Sequence, residues 1–279
     1  MKIDKVIFSS SLEYAPFWNA NSKVLKECLG LDSVCLLYGR KNELMSDQYG
    51  EIVECDYKSD LPRIVQLVLN KFYYTQNEPQ TTWMIGDIDQ LPLQSQRFIQ
   101  DIEDIPDHFY VHLAENGNSI RISPESDIWK RHPIKSNNGN FQLPAHYHIA
   151  KGKTFKDFLN LDVPFEDYVN GLVKEKLELE GKYPFTAFNE VLQLEKQRFF
   201  WAYEENYTTD FLRRQPNLNR YTGFGRNTSI DRIDRSTNCQ YNPSTLINKQ
   251  YIDIHCPRPY AKHKEVIDKI IKQAWGIEL

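Results

Sequence analysis

Apolar and polar positions along the first half of the chain follow two alternating rhythms. Short apolar runs bounded by polar residues or glycine, "KVIFSSS" (5–11), "DSVCLLYG" (32–39), "GEIVECDY" (50–57) and "TTWMIGD" (81–87), have the length and composition of strands. Between them, "FWNANSKVLKECLG" (17–30) reads as a helix closed by Gly30, and "LPRIVQLVLNKFYYT" (61–75) repeats its apolar residues at helical spacing. Strands that are apolar on both faces and alternate with helices predict an α/β fold, a mainly parallel sheet covered on both sides. Ligands of such sheets bind outside the carboxyl ends of the strands. Ser9, Ser10, Ser11, Asp56, Tyr57, Asp87 and Asp89 all fall at those ends.

Beyond residue 90 the rhythm loosens. "LPLQSQRFIQDIED" (91–104) reads as a helix, "HFYVHLAE" (108–115) as a fifth strand and "AHYHIAKGKTF" (145–155) as another, with a long polar loop over 116–144 between them. One or two helices are expected within 186–214, a short strand at "YIDIHCP" (251–257) and a last helix over 260–275. No repeat or linker divides the chain. A single domain over 1–279 is expected, with a ligand-binding half (1–115) and a less regular half (116–279).

Composition narrows the partners. Across 279 residues, 41% hydrophobic and 26% charged are ordinary globular values, which argues against wholesale disorder, and no stretch has the length of a bilayer span. A formal charge of -4 supplies no general basic field, so nucleic acid is not the expected partner. Five cysteines without C-x-x-C spacing fit neither a disulfide framework nor a zinc cluster, and with no signal-peptide pattern at the start a cytoplasmic protein is expected.

Chemistry concentrates where the fourth strand ends. In "WMIGDIDQLP" (83–92) an apolar run stops at Gly86 and opens into Asp87 and Asp89. If the backbone stays extended through Ile88, both carboxylates project to one side. Two convergent carboxylates suit Mg²⁺ or Mn²⁺, with substrate phosphate oxygens completing the shell; the plainer alternative is a solvated turn. In "YIDIHCPRPY" (251–260) Asp253 and His255 share one strand face ahead of Arg258, whose guanidinium matches either a phosphate or an ordinary salt-bridge partner. "PAHYHIAKG" (144–152) puts His146 and His148 on one face, as sugar-hydroxyl contacts or as a structural pair. "RNTSIDRIDRST" (226–237) alternates acids and arginines, a loop that closes over phosphate or an internal salt-bridge network.

With a D-x-D after some eighty residues of β-α units, the sequence resembles the GT-A class of glycosyltransferases. That resemblance implies a metal-dependent enzyme moving a sugar from a nucleoside-diphosphate sugar, a UDP-sugar first, to a carbohydrate or glycoconjugate hydroxyl. Asp87, Asp89 and His255 would hold Mn²⁺ or Mg²⁺, with Asp253 as a competing ligand or an orienter of His255. Ser9, Ser10, Tyr14, Asp56, Tyr57, Asp87 and Arg258 would bind the donor. Glu205 or Glu204 in "FFWAYEENYTTDFL" would take the acceptor proton if the reaction inverts, with Glu190 in reserve. His146, His148 and Trp201 would contact the acceptor. The rivals are a sugar-phosphate nucleotidyltransferase, disfavoured because "SSSLEYAPFW" lacks the glycine-rich basic signature after the first strand, and a non-catalytic nucleotide- or carbohydrate-binding protein.

Overall fold

A computed structural model describes residues 1–58, 61, 63–113, 147–179, 220–223 and 232–279. Strands β1 (Lys5–Ser11), β2 (Asp32–Tyr38), β3 (Glu51–Cys55), β4 (Thr82–Ile85), β6 (Tyr110–Leu113), β7 (Tyr147–Lys151) and β8 (Arg220–Gly223) form one seven-stranded sheet in the order β3-β2-β1-β4-β7-β6-β8. From β3 to β4 the strands are parallel; β7 is inserted antiparallel to both β4 and β6. This is the expected mainly parallel α/β sheet.

Both faces are covered, which is why the strands are apolar on both sides. On one face α1 (Phe17–Val24) and α7 (Tyr260–Trp275) pack Phe17, Trp18, Ile267 and Ile271 against Val6, Phe8, Met84 and Val111. On the other, α2 (Arg63–Tyr74), α4 (Gly152–Leu159) and α5 (Phe165–Leu179) bring Val65, Leu69, Phe72, Phe155 and Val169 onto Ile7, Val34, Trp83 and Ile85. Each such side chain taken fully out of water is worth about 1.5–3 kcal/mol.

Three expectations change. The helix over 17–30 widens into a π-helical turn at Leu25–Leu29 before Gly30 caps it in the left-handed conformation, φ 68°. The strand expected over 145–155 stops at Lys151, and α4 begins at Gly152. A Cβ there would stand 2.2 Å from the Thr75 carbonyl oxygen, so only glycine lets the chain turn against the end of the α2 segment. The helix expected over 91–104 shrinks to α3 (Gln100–Glu103), because Gln90–Pro92 instead forms β5.

Strand β5 belongs to a second sheet of three strands, β5-β10-β9, with β9 at Arg232–Asp234 and β10 at Asp253–His255. A short helix, α6 (Pro243–Ile247), capped by the Asn242 side chain, lies between β9 and β10. No helix among the described residues is long and apolar enough to cross a membrane. The loop expected over 116–144 and the helices expected within 186–214 lie outside the described residues.

Candidate active site

The small sheet explains how distant parts of the sequence meet at the end of β4. Antiparallel pairing sets His255 opposite Gln90, and the Cys256 amide donates to the Asp89 carbonyl at 2.8 Å. Parallel pairing on the other side of β10 sets Asp253 beside Arg232 and His255 beside Asp234. Residues two apart on a strand share a face, so these four side chains form two cross-strand pairs of acid and base on one surface.

The inner pair is closed. Arg232 grips Asp253 with two hydrogen bonds, Nε to Oδ1 and Nη2 to Oδ2, both 2.6 Å, while the Tyr147 hydroxyl donates to Oδ2 at 2.8 Å. Their side chains are only 4% and 2% exposed. Burial first, and then the adjacent Asp253 carboxylate, push the Tyr147 phenol well above its ordinary range, so it stays protonated and donates. Of its two expected roles, ligand or orienter of His255, Asp253 is seen in neither: its carboxylate is fully engaged by Arg232 and Tyr147.

The outer pair is open. His255 Nδ1 lies 3.1 Å from Asp234 Oδ2, and Nε2 is turned to Asp89 Oδ2 at 3.7 Å. Although burial opposes it, hydrogen bonding from Ser236 together with the His255 interaction holds the Asp234 carboxyl below its usual range. When Asp234 accepts from Nδ1–H, Nε2 is the nitrogen left on the Asp89 side, the arrangement a metal ligand needs. Arg258 Nε and Arg235 Nη1 also reach Asp89 Oδ2, at 2.9 and 3.1 Å. Asp89 itself is 5% exposed, so one nearly buried carboxylate oxygen is the meeting point of three nitrogenous side chains. Arg258 additionally stacks on Tyr14, guanidinium 4.6 Å from the ring centroid, and hydrogen-bonds its hydroxyl.

Asp87 stands apart from this cluster. The backbone does not stay extended through Ile88: the Gln90 amide donates to the Asp87 carbonyl at 3.0 Å, closing a tight turn. Ile88 is drawn into the core, and the buried Asn21 side chain ties the turn by donating to the carbonyls of Ile88 and Gln90 at 3.0 and 2.9 Å. The alternation argument for the two carboxylates therefore gives way to turn geometry. Asp87 Oδ1 accepts from Lys71 Nζ at 3.0 Å, and Lys71, on α2, is 4% exposed. Gly86 is needed for packing, since a Cβ there would press on the Tyr147 and Phe8 rings at 3.3 and 3.4 Å.

The remaining expected site residues divide by place. Ser9 and Ser10 are buried at the end of β1, beside β4 in the sheet; Ser9 Oγ has no hydrogen-bond partner among the described residues, and Ser10 Oγ donates to the Ser11 carbonyl. Asp56 and Tyr57 follow β3 at the sheet edge. Tyr57 stacks on Tyr38 at 4.4 Å with the Arg63 guanidinium 5.3 Å from its ring, and exposed Asp56 pairs with Arg40 at 3.1 Å. His148 is a core side chain, fully buried among His112, Phe72 and Tyr110. His146, Glu190, Trp201, Glu204 and Glu205 lie outside the described residues.

Asn21 and Lys71 enter the site without any reading from the sequence, and Asp234 and Arg235 enter it from the 226–237 segment, read as closing over phosphate or as an internal salt-bridge network. The alternating arginines and acids of 226–237 were the available signal for the last two; Asn21 and Lys71 sit inside amphipathic helices and carry no local mark. Among the described residues no three acidic, histidine or cysteine side chains already surround a single point as a metal cage would. The donor chemistry nonetheless fits a cation such as Mn²⁺: carboxylates on the 87–90 turn and an imidazole whose free nitrogen is aimed at one of them.

No known family profile matches the sequence. No curated protein matches it either. Similar solved structures include the galactosyltransferase LgtC in complex with donor and acceptor sugar analogs, 10% identical over 98% of this chain and 96% of that one, with a TM-score of 0.48. An active-site mutant of LgtC is 9% identical over 91% of this chain and 88% of its own, TM-score 0.46. The glycosyltransferase GlyE of Streptococcus pneumoniae TIGR4 is 10% identical over 79% of this chain, TM-score 0.41, and this chain spans 45% of GlyE.

Proposed function

We propose that the protein is a metal-dependent glycosyltransferase that moves a sugar from a nucleoside-diphosphate sugar, a UDP-sugar first, to a hydroxyl of a carbohydrate or glycoconjugate acceptor. The observation that carries this reading is the approach of His255 Nε2 to Asp89 Oδ2, 3.7 Å, across 166 positions of sequence, with Arg258 at the same oxygen. A strand-end carboxylate met by a far-off imidazole and guanidinium is what a cation and a diphosphate together require.

In this reading Asp87, Asp89 and His255 hold Mn²⁺ or Mg²⁺, with Asp234 orienting His255. When bound, the cation supplies Lewis acidity to offset the charge of the departing diphosphate. Arg258, positioned by Tyr14, binds a phosphate oxygen. The nucleoside lies across the strand ends from β4 toward β3, past Ser9 and Ser10, to Asp56 and Tyr57. Residues 1–115 form the donor half; 116–279 contribute the acceptor side, where Glu205 or Glu204 receives the acceptor proton in an inverting reaction and His146 and Trp201 contact the acceptor; His148, sealed in the core, is not among them. The free state of all five cysteines suits the cytoplasm.

Calorimetric titration with UDP, GDP and CDP, with and without Mn²⁺, tests the donor site directly. One nucleotide should bind in a metal-dependent way, and Asp89→Ala should weaken that binding by more than about tenfold, as should loss of a ligand-orienting carboxylate in Asp234→Ala. Binding that ignores both the metal and Asp89 would sink the reading.

A further inference from the structure

Asp89 already has partners with which a cation at the proposed site would compete. Its Oδ2 is met by Arg258 and Arg235, at 2.9 and 3.1 Å. A divalent cation held by Asp89 competes with those guanidiniums for the same oxygen, and two guanidiniums beside a divalent cation repel it. A diphosphate offers them replacement oxygens of matching geometry.

The two arginines reach Asp89 from partly exposed positions, the Arg235 side chain 30% and the Arg258 side chain 27% exposed. Arg235 meets Asp89 through one nitrogen at one oxygen, whereas Arg258 is also held by Tyr14. Arg232, three residues before Arg235 in the same segment, is the internal contrast: 4% exposed and held through two nitrogens. Arg235 starts the single turn Arg235–Thr237 that follows β9, so its side chain pivots from the rim of the small sheet.

Building on the donor-site reading above, we propose that Arg235, together with Arg258, is a donor-binding residue that exchanges partners: on Asp89 when the site is empty, on the diphosphate once a cation takes Asp89. Cation alone meets a carboxylate already neutralised and flanked by positive charge. Diphosphate alone either finds the arginines occupied or strips them from Asp89, leaving a nearly buried carboxylate facing an anion. Together the two ligands satisfy every charge. Metal and diphosphate therefore bind with positive coupling, and Arg235 transmits part of it.

The test is a binding cycle on the full chain. Mn²⁺ affinity is measured from the free-ion spin-resonance signal with and without saturating UDP or GDP, and nucleotide affinity by calorimetry with and without Mn²⁺, for the native protein, Arg235→Ala and Arg235→Lys. In the native protein the nucleotide should tighten Mn²⁺ by about tenfold or more. Arg235→Ala should bind Mn²⁺ alone more tightly, bind nucleotide more weakly only when Mn²⁺ is present, and so lose most of the coupling. Arg235→Lys, which keeps a charge without the planar fork, should fall between the two and serves as the second variant should alanine unfold the segment.

If Arg235→Ala shifts Mn²⁺ affinity by the same factor with and without nucleotide, Arg235 is a distant charge only and the exchange is wrong. If the native protein binds neither UDP nor GDP in the presence of Mn²⁺, the donor-site reading fails and the exchange falls with it.

Discussion

Two carboxylates a few residues from one another across the small sheet, Asp253 and Asp89, both meet arginine, and they are held in different ways. Asp253 and Arg232 are paired through two short hydrogen bonds with both side chains out of water, and Tyr147 adds a third donor. Asp89 is nearly as buried, but its arginines are about a quarter to a third exposed and touch it through single nitrogens. A carboxylate is a structural anchor when its partner is desolvated with it, and an exchangeable site when its partner can be solvated elsewhere. Burial of the cation decides the role.

That contrast sets an order of effects. Arg232→Ala leaves Asp253 as an uncompensated buried charge and should cost about 3–5 kcal/mol of unfolding free energy, read by denaturant titration. A loss below about 1 kcal/mol would mean that water reaches Asp253 and the contrast dissolves. Arg258→Ala removes one guanidinium from Asp89 and its stacking on Tyr14, and should cost an intermediate amount, about 1–2 kcal/mol by the same measurement. Arg235→Ala should cost least, about 1 kcal/mol or below, because an exposed ion pair contributes little to stability even where it matters to binding. A sharper version is a double-mutant cycle between Arg232 and Arg235. Their stability effects should add to within about 0.5 kcal/mol, since the two arginines sit on different carboxylates.

Legibility in the sequence followed the range of the interaction. Strands β1 to β4 and helices α1, α2 and α7 were readable because their apolar spacing reports burial on a sheet face, a local property of consecutive residues. Gly30 ends its helix as expected, for the same local reason. Strand β5 was not readable: Gln90–Pro92 is a strand only because β10 lies alongside it, and without that partner "LPLQSQRFIQDIED" looks helical. Strand β9 escaped in the same way, three residues whose only sheet neighbour described is β10.

The site divides along the same line. Asp87, Asp89, His255 and Arg258 were singled out by their residue types at strand ends and by the resemblance of the D-x-D, and the structure brings His255 and Arg258 to one carboxylate oxygen of Asp89. The turn through Ile88 stood only as the alternative to an extended strand, because it is decided by Asn21 gripping two carbonyls and by Ile88 entering the core, neither visible in a D-x-D. Which arginine is buried and which is partly exposed was equally invisible. "DRIDR" presents Arg232 and Arg235 as equals, and the cross-strand register of Asp253 with Arg232 separates them.

The sequence by itself determined the layered α/β arrangement and the residue types at the ends of the strands, since both follow from apolar periodicity and from the few side chains able to bind a cation or a phosphate. Only the tertiary structure decided which acid faces which base. Pairings between residues 21 to 169 positions apart are set by sheet register and burial, and those emerge when the strands meet.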